Sequence, residues 1–117
     1  MIVCVMDDRM ASINISSLAK AIGGIDLYFE RVPAQVLPSI RDRRPSLVIF
    51  DLNSRTMAPL PAIAAMKADP ALASVRTIGF VSHVDADTVA AARAAGIDQV
   101  LARSAFFSNL RHILTTA

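Results

Sequence analysis

Three aspartates stand where apolar runs of strand length stop: Asp7 and Asp8 after "MIVCVM", and Asp51 after "LVIF". A carboxylate at the edge of a core is costly unless something electropositive shares its space. If the first and third apolar runs lie side by side in one sheet, the three carboxylates converge. Further runs ending at Ser82 and at Arg103 then add a hydroxyl and a cation. Three overlapping negative fields cannot all stay ionised cheaply without a cation among them. A hard divalent ion that prefers oxygen ligands and keeps some of its water, such as Mg²⁺, suits that donor set. The ion would also shield an incoming phosphoryl group from the carboxylate that attacks it, while the hydroxyl and the cation hold the transferred oxygens. On that reading Asp51 is a nucleophile. Plainer readings stand beside it. Asp8 can cap a helix with Asp7 its solvated neighbour, and Asp51 before Asn53 and Ser54 can turn the chain. Ser82 can cap a loop, and Arg103 can be a built-in counterion that neutralises the aspartates without a metal.

The elements that must position these residues are legible as apolar runs and helix punctuation. The runs are "IVCVM" (2–6), "IDLYF" (25–29), "LVIF" (47–50), "TIGFV" (77–81) and "QVLA" (99–102). Between them, Asp8 caps a predicted helix carrying Met10, Ile13, Leu18 and Ile22 that stops at Gly23 and Gly24. A second follows Pro33 with Val36, Leu37 and Ile40, and Pro38 within it is expected to bend or break it. Pro59 or Pro61 opens a third, closed by Asp69 and Pro70. Asp85 and Gly96 bracket a fourth, and Ser104 begins a fifth with Phe107, Leu110 and Leu114. Strict alternation of five strands and five helices implies βαβ units, and mainly unalternating strands imply a parallel sheet covered on both faces. Right-handed crossovers bring every strand-to-helix loop to one edge, where ligands bind in such sheets. At 117 residues, without repeats or low-complexity linkers, the expectation is one domain, 1–117.

Composition narrows the function. The hydrophobic fraction is 54% and mean hydropathy is +0.48, yet no uncharged apolar run approaches the roughly 18 residues of a membrane span. "MIVCVM" is too short for a secretory signal, so no membrane partner and a cytoplasmic location are expected. The single cysteine, Cys4, reads as a small buried thiol. The net charge of +2 combines ten arginines with two lysines. Their only cluster, "RDRRP" at 41–45, reads as a solvated helix end, so no nucleic acid is expected. "FDLN" resembles the start of a haloacid-dehalogenase-type phosphatase motif, but Asn53 cannot serve as its general acid and the chain is too short for that fold's further parts, so the chain is read as no enzyme. No glycine-rich phosphate loop or Cys/His metal spacing occurs. His83 borders the carboxylates, where it would tune dephosphorylation or meet a partner, and His112 reads as a rim residue.

The chain resembles the receiver domain of bacterial two-component response regulators over nearly its whole length. The resemblance is carried by "DD" after the first strand, "RPSLVIFDLN" around the third, Ser82 closing the fourth, and "AGIDQVLARSAF" through the fifth. It implies a flavodoxin-like, doubly wound five-stranded parallel sheet in the order 2-1-3-4-5. It implies Asp51 as phosphoacceptor, Asp8 as a direct Mg²⁺ ligand and Asp7 as one acting mainly through water. It further implies that the backbone carbonyl of Asn53 reaches the metal and that the Ser82 hydroxyl reports phosphorylation. The expectation is a stand-alone signalling protein. Its phosphodonor would be a sensor histidine kinase, a phosphotransfer protein or a small molecule, and its effect would pass to a downstream protein by contact near the fourth helix, fifth strand and fifth helix. The alanine-rich "ADTVAAARAAG" there is where a homodimer contact is first sought.

The departures from the family pattern are specific. Arg103 and Ser104 replace lysine and proline, so a cis peptide is not favoured at that turn. Arg103 is expected to pair with Asp51 or with a phosphoryl oxygen, in a geometry other than lysine's. Val100 stands where a switching aromatic ring is usual, and Arg55 where the loop normally has proline. The alternative function is therefore a pseudo-receiver: an interaction module that is not phosphorylated because Arg103 occupies the acidic pocket.

Overall fold

Five short segments rich in Val, Ile, Leu and Phe form one parallel sheet in the order β2-β1-β3-β4-β5 in the computed structural model, which describes residues 1–82 and 85–117. His83 lies outside the described residues. The strands are β1 (Ile2–Val5), β2 (Leu27–Glu30), β3 (Leu47–Asp51), β4 (Arg76–Val81) and β5 (Gln99–Ala102). Every residue of β1 and β3 is buried, as unalternating central strands of a doubly covered sheet require. The helices are α1 (Arg9–Ile22), α2 (Val36–Arg43), α3 (Pro59–Ala68), α4 (Ala86–Ala95), α5 (Arg103–Ser108) and α6 (Leu110–Thr115).

Alternate strand residues divide the core in two. Val3, Val5, Val48, Phe50, Leu52 and Val81 pack with residues of α2, α3 and α4. Cys4, Ile49, Ile78 and Phe80 pack with residues of α1, α5 and α6. Burial pushes the Cys4 thiol up to about 12, so it stays protonated and inert at neutral pH. Lys67 on α3 is held by the carbonyls of Ala73 and Val75 and by Asp98 Oδ2 at 3.1 Å. Asp98 also accepts from the backbone N–H and hydroxyl of the fully buried Thr77, so one carboxylate ties β4 to the turn before β5.

Four local expectations are corrected. The inner face of α1 is Ala11, Ser12, Ile15 and Ala19, while Met10 and Ile13 are 62% and 50% exposed. The 11/15/19 spacing with small residues at both ends lets the helix lie close to the sheet, so the larger Met10 and Ile13 face outward. Pro38 breaks nothing: a 3₁₀ turn at Pro33–Gln35 precedes α2, which leaves Pro38 in the first turn, where its missing N–H has no intrahelical acceptor anyway. The second strand runs two residues later than its hydrophobic run suggests at its start, because Glu30 is itself buried and accepts from Val32 N and the Ser39 hydroxyl. The last helix is two, divided at Asn109, whose amide donates to the Ala105 carbonyl at 2.8 Å.

Ala58 caps α3 in the left-handed region, at φ 46° and ψ 61°, where a Cβ costs about 1–2 kcal/mol. Ala58→Gly removes that clash at the expense of greater unfolded-chain freedom. The variant is expected to gain roughly 0.5–1 kcal/mol, seen as a raised denaturant midpoint with an unchanged m-value.

Candidate acidic site at the strand ends

Asp51 closes the central strand, between β1 and β4, so the parallel register places the ends of both neighbours beside it: Phe80 pairs with Asp51 itself and Val5 with Phe50. Asp51 is buried, 5% exposed. Oδ1 accepts the Asn53 backbone N–H at 3.0 Å and the Asp51 carbonyl accepts the Ser54 N–H at 3.2 Å. The turn reading of Asp51 is therefore true as far as it goes. Burial raises the Asp51 pKa above the usual carboxylate value, opposed by the Asn53 N–H. Asp8 and, more weakly, Asp7 push it further up, while Arg103 pulls it down. All four of these charged groups thus share one field at one rim of the sheet.

Asp8 does two things at once. Oδ1 accepts the Ala11 N–H at 3.1 Å and caps α1, and Oδ2 pairs with Arg103 Nη2 at 3.0 Å. The Ala11 N–H first, then the Arg103 guanidinium, hold its pKa below the usual value against a desolvation penalty. Asp7 is exposed in the loop after β1 and is bound to the loop after β3. Its two oxygens accept from the Thr56 hydroxyl and from the Ser54 hydroxyl, the latter at 3.0 Å, and the Thr56 bond is the main reason its pKa is lowered. Ser54 Oγ in turn accepts the Met57 N–H at 3.2 Å. Asn53 points the other way: its side-chain oxygen accepts the Ser82 N–H at 2.6 Å and joins the loop to the end of β4. Ser82 is exposed there.

Arg103, the first residue of α5, sits directly beyond β5. The structure corrects the Asp51 pairing expected of it: the ion pair is made with Asp8, as the plainer reading of Arg103 as a counterion to the aspartates allows. Two aromatic rings lie beneath it. Its guanidinium carbon is 5.4 Å from the Phe80 ring centroid and 5.5 Å from that of Phe107. Sequence reasoning missed Ser54, Thr56, Phe80 and Phe107. The two hydroxyl residues had a signal, lying just past Asp51 on a loop that must face Asp7; the two rings had none apart from their tertiary packing. Val100, at the position of the missing switching aromatic, packs partly buried against the α2–α3–α4 core. No cis peptide bond occurs among the described residues.

The donor set suits a hard divalent cation in kind: carboxylate oxygens at one rim, their charge in excess of the one guanidinium beside them. Among the described residues, however, no three of His, Cys, Asp or Glu stand close enough together to hold a metal ion as placed. The cation that stands at Asp8 Oδ2 in this arrangement is the Arg103 guanidinium, at 3.0 Å.

Comparison with known proteins agrees with the architecture. A response regulator from Hahella chejuensis superposes with a TM-score of 0.83 at 19% identity, covering 97% of this chain and 92% of that one. The Mn²⁺-bound form of response regulator Rcp1 gives 0.81 at 20% identity, over 99% and 95%. The phosphorylated cyanobacterial phytochrome response regulator RcpA gives 0.73 at 18%, over 98% and 89%. This chain has the flavodoxin-like receiver fold of those response regulators. No protein-family model matches the sequence, and no curated protein matches it. Among the described residues no helix is long and apolar enough to cross a membrane.

Proposed function

We propose that this chain is a receiver-type signalling protein that accepts a phosphoryl group on Asp51 and acts through protein–protein contacts rather than by turning over a substrate. The observation that carries the reading is the placement of Asp51: a buried residue closing the central strand, in the shared field of Asp7, Asp8 and Arg103. Proteins with Mn²⁺ bound or phosphorylated share the fold.

The attacking group is an Asp51 carboxylate oxygen. It forms a bond to phosphorus while the bond to the donor's leaving atom breaks and that atom keeps the electron pair. Asp51 must be ionised to attack. Burial works against this, and the positive field of Arg103 works for it. Asn53 holds one carboxylate oxygen through its N–H and so fixes which way the carboxylate faces. Ser82 and Arg103 stand beyond the ends of β4 and β5, on the same sheet edge as Asp51, where a hydroxyl and a cation would receive the transferred oxygens. Asp7, Asp8, Asp51 and the Asn53 carbonyl would hold Mg²⁺, which when bound supplies the positive charge that lets phosphate approach a carboxylate. The phosphodonor is a sensor histidine kinase, a phosphotransfer protein or a small phosphodonor in the cytoplasm. The surface around α4, β5 and α5 meets a downstream protein or a second copy of the chain.

A second reading has its own observation. The Arg103–Asp8 pair at 3.0 Å already balances part of the negative charge, as it would in an interaction module that is never phosphorylated. Intact-mass spectrometry separates the two. With acetyl phosphate and Mg²⁺ the wild type is expected to gain one phosphoryl group and Asp51→Asn none. A wild-type mass unchanged under acetyl phosphate and a panel of histidine kinases would establish the second reading.

A further inference from the structure

Arg103 is gripped from three sides. Nη2 lies 3.0 Å from Asp8 Oδ2, and Asp8 cannot swing away freely because Oδ1 caps α1 at 3.1 Å. Beneath the guanidinium, Phe80 and Phe107 meet edge to face at a centroid distance of 5.7 Å. Phe106 braces both, 4.8 Å from Phe80 and 5.0 Å from Phe107. Phe80 and Phe106 are fully buried, whereas Phe107 is half-buried. The guanidinium side chain is 28% exposed, so these ring contacts lie between the exposed and desolvated limits of cation–π attraction.

A planar, weakly hydrated guanidinium suits such a corner, and a compact, strongly hydrated ammonium does not. The aromatic corner and the arginine therefore work as one device: the rings stabilise the cation where it lies, and it lies on a carboxylate a divalent ion would need. We infer that Phe107 is a positioning residue which, with Phe80, holds Arg103 on Asp8 as the resident cation of the acidic site, so that Arg103 and a divalent cation compete for that one carboxylate. The inference rests on reading the strand-end carboxylates as a divalent-cation site. It adds that the threshold for filling the site is set from outside it, by a ring on α5.

Mn²⁺ is the probe, its binding followed by water-proton relaxation on wild type, Phe107→Leu, Arg103→Lys and the double variant. Phe107→Leu is expected to tighten Mn²⁺ roughly 2- to 5-fold, the equivalent of one such ring contact, and to change affinity less than 2-fold (roughly) in the Arg103→Lys background, where no guanidinium rests on the ring. A metal-free reading runs beside it: the Arg103 Nε–H resonance should be shifted by ring current in the wild type and should move toward its free position in Phe107→Leu. Equal Mn²⁺ affinity of wild type and Phe107→Leu, or the same gain in both backgrounds, overturns the competition. An Arg103 resonance unmoved by Phe107→Leu overturns the positioning. Because neither readout involves phosphoryl transfer, Mn²⁺ behaviour as expected together with an unchanged mass under phosphodonors would defeat the proposed function and leave this inference standing.

Discussion

Phe80→Ala is expected to lower the free energy of unfolding by about 3–5 kcal/mol, the range for emptying a fully buried phenylalanine site. Phe80 has no exposed surface, lies across the ladder from Asp51, and is the ring against which Phe106 and Phe107 both pack. Truncation therefore opens a cavity in the face shared by α1, α5 and α6 and removes one support of Arg103. The two consequences can be separated. Phe80→Leu restores much of the volume and should recover most of the stability, since near-volume-conserving apolar exchanges cost under about 1.5 kcal/mol, but it leaves Arg103 without that π face. Denaturant midpoints report the first effect and the Arg103 Nε–H resonance the second. A Phe80→Ala loss below about 1 kcal/mol would mean that the three rings repack freely, and the aromatic corner would then be no rigid platform.

The fold was legible because its signals are of the kind a single sequence carries. β1 and β3 are buried on both faces, so their apolar runs are unbroken, and Asp8, Asp85 and Gly96 cap the helices they were expected to cap. Parallel topology then places Asp7, Asp8, Asp51, Ser82 and Arg103 at one edge without any knowledge of side chains. What was not legible depends on packing between elements. Whether α1 turns Ile13 or Ile15 inward is decided by how closely the small Ala11 and Ala19 let it approach the sheet. Arg103 pairs with Asp8 while lying over Phe80 and Phe107, residues 23 positions before it and 4 after it in the chain, a juxtaposition that only tertiary packing makes. Two of the carboxylates each take part in more than one interaction. Asp8 caps a helix with one oxygen and pairs with a cation through the other, and Asp51 orders a turn while lying in the field of three other charged groups.

Gly79 shows how the core holds that arrangement in place. A Cβ at this position would stand 2.7 Å from both Cγ and Cδ1 of Leu52 and 2.8 Å from Cδ1 of Ile97. Leu52 is the residue after Asp51; it is buried, and its N–H donates to the Phe80 carbonyl at 3.0 Å, carrying the pairing of β3 with β4 one step beyond the strand. Gly79 thus leaves space for the side chain that anchors the start of the loop bearing Asn53, Ser54 and Thr56. Gly79→Val is expected to cost roughly 2–3 kcal/mol, since the gain in strand propensity is smaller than the strain of overpacking. Leu52→Ala should be destabilising alone yet should relieve the Leu52 part of the clash, leaving that with Ile97, when combined with Gly79→Val. The double variant is then expected to lose at least about 1 kcal/mol less than the sum of the singles. Chemical denaturation of the four proteins measures that coupling. If the two losses simply add, Gly79 and Leu52 do not share the space, and the anchoring of the Asp51 loop would have to come from the hydrogen bonds of Asn53 and Ser54 instead.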